Sequence, residues 1–155
     1  MVAGRKRGMR IQDRYLFKAK RIKDAQWIEG YLIYSFTGVP FIITEYDHIL
    51  ALVARDEIDP ETICQCTGLK DKNGNLIWEN DIVKKEFYTD YDAYANSEKY
   101  IGVMRYEDGG WWVKTQMDVG QILVRSIIDV LAFSKDVEHF EVLGNVVDNP
   151  ELLEV

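Results

Sequence analysis

The sequence lacks the features of a membrane protein and of a chain with a long flexible linker. Its 155 residues contain no run of about 18 apolar residues, so we expect no membrane-spanning helix. Only 3 prolines and 11 glycines are present, which predicts no long linker. The basic start Arg5-Lys6-Arg7 is followed by Gly8-Met9-Arg10 rather than by an apolar stretch, so we expect no signal peptide and a cytoplasmic protein.

Cysteine and histidine are too few and too scattered to predict a metal or catalytic site. Cys64 and Cys66 are two residues apart on a predicted strand, which places their Cα atoms at roughly 6.5–7 Å, at or beyond the limit for a disulfide. His48 and His139 lie in no catalytic motif, and no phosphate-binding or dinucleotide-binding glycine pattern is present. We therefore expect no catalytic residue, no metal and no cofactor.

The charge of the chain disfavours nucleic acid as a partner of the whole surface. The formal net charge is −7, and residues 11–155 carry −11 because the four N-terminal cations, Arg5, Lys6, Arg7 and Arg10, contribute +4. A body this acidic repels a phosphate backbone. The basic N-terminus has two interpretations: a short arm that touches nucleic acid or an acidic partner, or a disordered extension over residues 1–8 that precedes a single domain over 9–155.

Apolar residues alternate with polar ones in many short segments, which predicts a mainly β (α+β) protein. The predicted strands cover residues 14–20, 27–34, 41–46, 48–55, 63–67, 76–78, 81–87, 100–106, 111–115 and 139–147. Gly30 inside the second of them indicates a bulge or a close approach of two backbones.

Residues typical of turns, and a change from alternating to helical spacing of the apolar residues, predict the remaining elements. Asp59 and Pro60 are typical of an N-cap followed by a first helical position. The pair Asn73-Gly74 predicts a type I′ hairpin turn. Apolar residues recur at helical spacing over 119–133, which predicts one short amphipathic helix near the C-terminus. A last helical turn is expected after Asn149.

The spacing of the strands favours a compact SH3-like or related β-barrel with added hairpins. The rhythm of such a barrel runs from residues 80–83 through 101–103 to 108–113. This similarity is one of pattern, and barrels of this kind have many functions, so it implies no activity.

Aromatic residues are the strongest candidates for a binding surface. The segment 88–100 has few aliphatic residues, and we interpret it as a long surface loop. The candidate interface residues are Tyr88, Tyr91, Tyr94, Trp111 and Trp112. Adjacent tryptophans on a strand point to opposite faces, so either one forms part of an interface or both are buried under covered faces. Aromatic residues near Lys84, Lys85 and Lys99 would also allow stacking on single-stranded bases.

Acidic residues near the middle of the chain favour structural roles. Asp71, Asn73 and Asn75 begin like a calcium loop, but the positions that need glycine and a bidentate acid are Leu76 and Ile82. Asp81 is open to a catalytic role or to one in which its carboxylate accepts backbone N–H groups and fixes a turn, and we favour the second.

Two segments together resemble the YopX family of phage and prophage proteins. The first is residues 67–83 and the second is residues 140–153. The signature positions are Thr67, Gly68, Leu69, Asp71, Asn73, Gly74, Asp81, Gly144, Asn145, Asn149 and Pro150. The sequence departs from the family pattern at Asn80, where glycine is usual, and at Cys64 and Cys66. The resemblance implies a phage or prophage origin and structural roles for the signature, but no assigned activity.

Three functions follow as hypotheses. We expect a non-enzymatic accessory protein that self-associates as a homo-oligomer and binds a host or phage protein in the host cytoplasm. The alternative is a nucleic-acid-binding barrel that uses the basic N-terminal arm and exposed aromatic residues. A second alternative is a small enzyme with a scattered site.

Overall fold

The computed structural model describes residues 13–47, 52–86, 99–116, 122–126 and 140–153. These residues are mainly β and form two antiparallel sheets with three short 3₁₀ turns, which confirms the predicted class. The chain divides into two compact units, Met1–Gly68 and Leu69–Val155, which we call the first and the second unit. The expected division into an extension over 1–8 and one domain over 9–155 involves residues outside the described ones and stays a prediction.

The first sheet has the strand order β4-β3-β2-β1-β5-β6. Its strands are β1 Phe17–Lys20, β2 Trp27–Tyr34, β3 Pro40–Asp47, β4 Leu52–Glu57, β5 Cys64–Lys70 and β6 Leu76–Trp78. The core of the first unit is a cluster of buried Ala19, Ile42 and Ile58, against which Phe17, Ile28, Leu32 and Ile63 pack. An isolated bridge between Arg21 and Ile58 joins the chain after β1 to the chain after β4.

Gly30 permits the close approach of β2 and β3. A Cβ atom at this position would lie 2.1 Å from the backbone oxygen of Ile43 and 2.8 Å from a side-chain carbon of Ile42. No side chain larger than hydrogen fits there, because real Cβ atoms essentially never approach another heavy atom to less than 3.0 Å. The close backbone approach predicted from the sequence is therefore confirmed.

The turn before β5 is capped as the sequence predicts. Asp59 has extended backbone angles, and its Oδ1 accepts the N–H of Glu61 at 3.0 Å, while Pro60 begins the 3₁₀ turn Pro60–Thr62. Thr62 then ties this turn to β1, since its Oγ1 accepts the N–H of Lys20 at 2.9 Å. The turn therefore fixes where β5 starts beside β1.

The hairpin between β5 and β6 has a different turn from the predicted type I′. Gly74 has a φ of +83°, but Asn73 stays outside the left-handed region, whereas type I′ needs positive φ at both central residues. The N–H of Gly74 donates to the carbonyl of Asp71, and Asp71 Oδ1 accepts the N–H groups of Asn73 and Asn75. Aspartate at the first position and glycine at the fourth are typical of a type I turn, so the side chain of Asp71 decided the turn type.

The second sheet has the strand order β10-β9-β8-β7-β11. Its strands are β7 Asp81–Glu86, β8 Lys99–Glu107, β9 Gly110–Gln116, β10 Ile122–Ser126 and β11 Phe140–Asn145. The core of the second unit is a separate cluster of Ile77, Val83, Met104, Val113 and Phe140, with Leu69, Trp111 and Val142 packed against it. A 3₁₀ turn at Pro150–Leu153 follows Asn149, as expected.

The helix predicted over 119–133 is wrong at its centre. Residues Ile122–Ser126 form strand β10, which pairs in antiparallel register with β9 over five residues. A short apolar run fits the helical and the extended period almost equally, and the neighbouring strand supplied the hydrogen bonds that decided between them. The other residues of that segment lie outside the described residues.

Neither sheet closes into a barrel among the strands that the structure describes. The strand order of each sheet has two edge strands, so the described strands do not show the closed barrel that the strand spacing favours. Strand spacing reports how many short strands a chain forms, but closure depends on which strands pair, and that is a tertiary property.

Candidate functional site

Of the five aromatic residues predicted to form an interface, the structure describes Trp111 and Trp112. Tyr88, Tyr91 and Tyr94 lie outside the described residues. Trp111 and Trp112 are adjacent in β9 and therefore point to its two different faces. In the register with β8, Trp111 pairs with Tyr106 and Trp112 pairs with Arg105. Trp111 packs against the core of the second unit and makes an edge-to-face contact with Tyr106, at 5.1 Å between ring centroids. Trp112 is half-buried, and its indole N–H donates to the carbonyl of Glu107 at 2.8 Å.

The two halves of the signature meet in the second unit. The N–H of Lys72 donates to the carbonyl of Phe140 at 2.8 Å, and the N–H of Val146 donates to the carbonyl of Asn80 at 3.0 Å. Strands β7 and β11 also pair over most of their length. The two halves of the signature therefore lie side by side in the structure, although they are far apart in the sequence.

Asp71 is the centre of this region. Its carboxylate is buried and accepts N–H groups from Asn73, Asn75 and, at 3.3 Å, Val142 of β11. Burial raises the pKa of Asp71, but the hydrogen bonds from Asn75, Val142 and Asn73 lower it more, so the pKa lies below its ordinary value. Asp71 is therefore a charged acceptor that joins a hairpin to the edge strand β11.

Asp81 has the geometry of a turn-fixing residue. Its Oδ2 accepts the N–H of Trp78 at 2.8 Å, and the residue is only 2% exposed. Asn80 before it has a φ of +66°, in the left-handed region that asparagine tolerates and that suits the glycine usual in the family. The side chain of Arg105 donates to Asn80 Oδ1. The carboxylate of Asp81 therefore fixes the turn between β6 and β7.

The C-terminal part of the signature forms a tight turn. A Cβ atom on Gly144 would lie 2.5 Å from Asn149 Oδ1, so the glycine lets this side chain approach the backbone. Asn145 Oδ1 accepts the N–H groups of Val147 at 3.0 Å and Asp148 at 2.9 Å. Pro150 then starts the last 3₁₀ turn. These residues hold the end of β11 in place.

Thr67, Gly68 and the two cysteines belong to β5. Thr67 is buried, and Gly68 has a φ of +77°. Cys64 and Cys66 are buried thiols with no exposed surface, and Cys66 Sγ accepts the N–H of Gly68. Within the described ranges no three His, Cys, Asp or Glu side chains are grouped closely enough to hold a metal ion.

The structure shows a surface that the sequence did not single out. Side chains of paired strands alternate between the two faces of a sheet, and the core lies on the face that carries Ile28, Leu32 and Ile42. The opposite face carries five apolar side chains that we call the aromatic face: Trp27, Tyr31, Ile33, Phe41 and Ile43. Tyr31 is 50% exposed, and the other four are half-buried.

Cations lie on the rings at the margins of the aromatic face. The Nζ atoms of Lys18 and Lys20 lie 5.2 and 5.6 Å from the ring centroid of Trp27. The guanidinium of Arg55 lies 5.2 Å from the ring centroid of Phe41. Each such contact is worth about 0.5–1 kcal/mol at an exposed site. Two acids share the face, because Glu29 is opposite Lys18 and Glu57 is opposite Phe41 in the register.

The hairpin between β2 and β3 extends this surface without any charge. Residues 30–44 contain no Asp, Glu, Lys, Arg or His, in a chain in which 29% of residues are charged. At its end Phe36 is fully exposed, while Tyr34, which is 61% exposed, is opposite Pro40 and lies on the same side of β2 as Leu32. The end is ordered by Ser35, whose N–H donates to the carbonyl of Val39 and whose Oγ accepts the N–H of Val39 at 2.9 Å. Phe36 is therefore presented by a structured turn.

The sequence carried one signal for the aromatic face. Strand β2 is apolar at almost every position, which is typical of a strand covered on both faces. Only the packing of Ile28 and Leu32 into the core shows that Trp27, Tyr31 and Ile33 lie on the other face.

None of the helices in the described part of the chain is long and apolar enough to cross a membrane.

The comparison with protein families agrees with the two-part signature. A family model described as YopX protein matches residues 4–154 and so spans both units. No curated protein matches the chain. Since the match covers nearly the whole chain, and its signature residues make the turns and strand ends of the second unit, the protein belongs to the YopX family.

Proposed function

We propose that the protein is a non-enzymatic interaction module that binds a protein partner through the aromatic face. The observation that carries this proposal is the position of Trp27, Tyr31 and Phe41 on the face of the first sheet opposite its core. Large apolar groups on one surface, next to the exposed Phe36, are typical of a protein-binding surface. Tryptophan and tyrosine also supply much of the energy at protein interfaces.

The acidic residues of the signature support a non-enzymatic role. The carboxylates of Asp71 and Asp81 accept backbone N–H groups and are almost fully buried. A general acid or base has to reach a substrate proton within hydrogen-bond distance. These two carboxylates accept hydrogen bonds from the backbone instead, so they stabilise the fold of the second unit.

The finer architecture and the origin of the protein are part of the same proposal. We propose a barrel-like first unit, supported by the bridge from Arg21 to Ile58, which links chain segments next to β1 and β4. An SH3-like arrangement in the second unit is supported by the consecutive antiparallel pairing of β7, β8 and β9. The family resemblance implies a phage or prophage accessory protein that acts in the host cytoplasm.

Binding of single-stranded nucleic acid is a second candidate function. The cations over Trp27 and Phe41 favour it, since aromatic rings flanked by Lys and Arg stack bases and attract phosphates. Glu29 and Glu57 on the same face oppose it, as does the net charge of −7. A labelled single-stranded oligonucleotide would test it by anisotropy, with Arg55→Ala expected to weaken binding and to lower its salt dependence.

A pair of matched variants tests the protein-binding function. Tyr31→Glu puts a charge in the centre of the aromatic face, and Leu143→Glu puts the same charge on β11 of the second unit, where the leucine is 38% exposed. Tagged wild-type and variant chains serve as bait in a lysate of the cells that express the protein, with and without nuclease. We expect a stoichiometric, nuclease-resistant partner on the wild type and on Leu143→Glu, and its loss from Tyr31→Glu. Equal retention by all three chains would contradict the proposal.

A further inference from the structure

We infer that the aromatic face binds a second copy of this chain. The inference rests on the proposed function, because it names the partner of the same surface. The partner must offer an apolar surface to Tyr31 and Phe36. It must also carry charges that complement the cations and acids at the margin of the aromatic face. The chain itself carries such a surface, formed by the aromatic face and the end of the β2–β3 hairpin.

The distribution of charge favours contact between copies through the first unit. Residues 1–68 contain ten Lys or Arg and nine Asp or Glu, a net charge of +1. Residues 69–155 contain nine Lys or Arg and 17 Asp or Glu, a net charge of −8. Two second units therefore repel each other, whereas two first units carry almost no net charge. Copies of the chain approach each other most easily through the first unit.

The charges on the aromatic face itself fit a copy of the same face. Its centre and the adjoining hairpin have no charge over residues 30–44. Its margin carries both signs, with Lys18 and Lys20 beside Trp27 and with Glu29 and Glu57 on the same face. In a contact related by a two-fold axis each surface is its own partner, so a face with an apolar centre and both signs at its margin is self-complementary. A phosphate chain would meet the two acids.

The size of the surface sets the expected strength. A specific interface buries about 800 Å² on each partner. An aromatic side chain buries about 150–250 Å² when fully covered, and most residues of the aromatic face are already half-buried. Phe36, at the end of the adjoining hairpin, has to join the contact to approach the required area. We therefore expect a reversible dimer with a dissociation constant in the range of about 1–100 μM.

Sedimentation velocity of the purified full-length chain tests the inference. The wild type should shift from monomer to dimer as its concentration rises through about 1–100 μM. Tyr31→Glu should raise the dissociation constant at least about tenfold, and Leu143→Glu should leave it unchanged. Phe36→Ser serves as a second variant, because a fully exposed side chain can be removed without disturbing a core. It should also weaken the dimer, and circular dichroism checks that each variant is folded.

The possible results separate the inference from the function on which it rests. A wild-type chain that stays monomeric but captures another protein through Tyr31 overturns the second-copy inference alone. A monomer that captures nothing overturns both. A dimer equally strong in Tyr31→Glu and Phe36→Ser places the contact elsewhere and overturns the inference. A monomer that binds a single-stranded oligonucleotide through the same residues replaces it with the second candidate function.

Discussion

The two units of the chain differ in their buried carboxylates and in the aromatic residues that lie away from the core. In the second unit, buried Asp71 and Asp81 are tied to backbone N–H groups, and Trp111 packs against the core. In the first unit, the core is wholly apolar, and Trp27, Tyr31 and Phe41 lie on the face away from it. Most signature positions of the family are in the second unit. Most of the signature therefore marks residues that stabilise the second unit, whereas the surface that we propose for binding lies in the first unit.

The first prediction concerns the packing of the first unit. Gly30→Ala should destabilise that unit by about 3 kcal/mol or more, because the new Cβ meets the backbone oxygen of Ile43, which cannot move without breaking the sheet. The second unit should stay folded, since the two cores share no residue. Amide spectra assigned to each unit during urea unfolding measure the effect.

Gly38→Ala is the matched control for this prediction. Gly38 has a φ of +84°, but a Cβ there meets no atom within 4 Å, so only the conformational cost of about 1 kcal/mol is expected. If both substitutions cost the same, the close approach of β2 and β3 does not constrain the first unit. If Gly30→Ala unfolds both units together, the comparison between two separate cores fails.

The second prediction concerns the buried acid of the second unit. Asp71→Ala should cost about 2–4 kcal/mol, because it leaves the N–H groups of Asn73, Asn75 and Val142 without their acceptor. Chemical denaturation measures the loss, and Glu151→Ala, which removes an exposed acid from the last turn, should be nearly neutral.

The same residue predicts how the stability of the second unit depends on pH. The pKa of Asp71 in the folded chain lies below its unfolded value of about 3.9. Its contribution is therefore fully present above about pH 5 and is lost as the pH falls through the folded pKa. Asp71→Asn should flatten this part of the stability curve. An unchanged curve would show that other acids cause the acid sensitivity.

The third prediction compares the adjacent tryptophans. Trp111→Ala should cost about 2–3 kcal/mol, since it removes a ring that packs against the core and Tyr106. Trp112→Ala should cost about 1 kcal/mol, mainly through the lost hydrogen bond to the carbonyl of Glu107. Urea midpoints give both values. A larger cost at Trp112 would reverse the assignment of the core face of β9.

The smallest predicted effect is at the surface of the first unit. The hydrogen bond from Lys23 lowers the pKa of Asp56, burial opposes this, and the charges of Lys23 and Arg21 lower it further, so the pKa lies below its ordinary value. Asp56→Asn should cost less than about 1 kcal/mol, and the cost should shrink as salt is added. An effect as large as that of Asp71→Ala, or one independent of salt, would remove the contrast between the two acids.

Local sequence signals predicted much of the fold. The bounds of β2 and the cap at Asp59 follow from side chains that act on their own backbone. The strand β10 did not follow, because residues 122–126 fit either period until β9 lies beside them. The turn at Asn73-Gly74 was located correctly but given the wrong type, since the dipeptide preference ignores the carboxylate of Asp71.

The candidate site was predicted less well than the fold. Trp111 and Trp112 are both candidate interface residues by sequence, but Trp111 packs against the core and only Trp112 lies on the face of β9 away from it. The aromatic face was missed because its residues alternate with core residues that are equally apolar. An apolar side chain in a strand has the same local pattern on either face, so no window of sequence separates Tyr31 from Leu32.

The β class, the family and the positions of most turns follow from the sequence, because they depend on local backbone preferences and on short motifs. The tertiary structure alone decided three things: that Asp71 joins a hairpin to β11, that the two halves of the signature meet, and that Tyr31 lies on an exposed face. Each of these depends on strands far apart in the chain lying side by side. Pairing of that kind sets burial and hydrogen bonding, which a linear pattern does not contain.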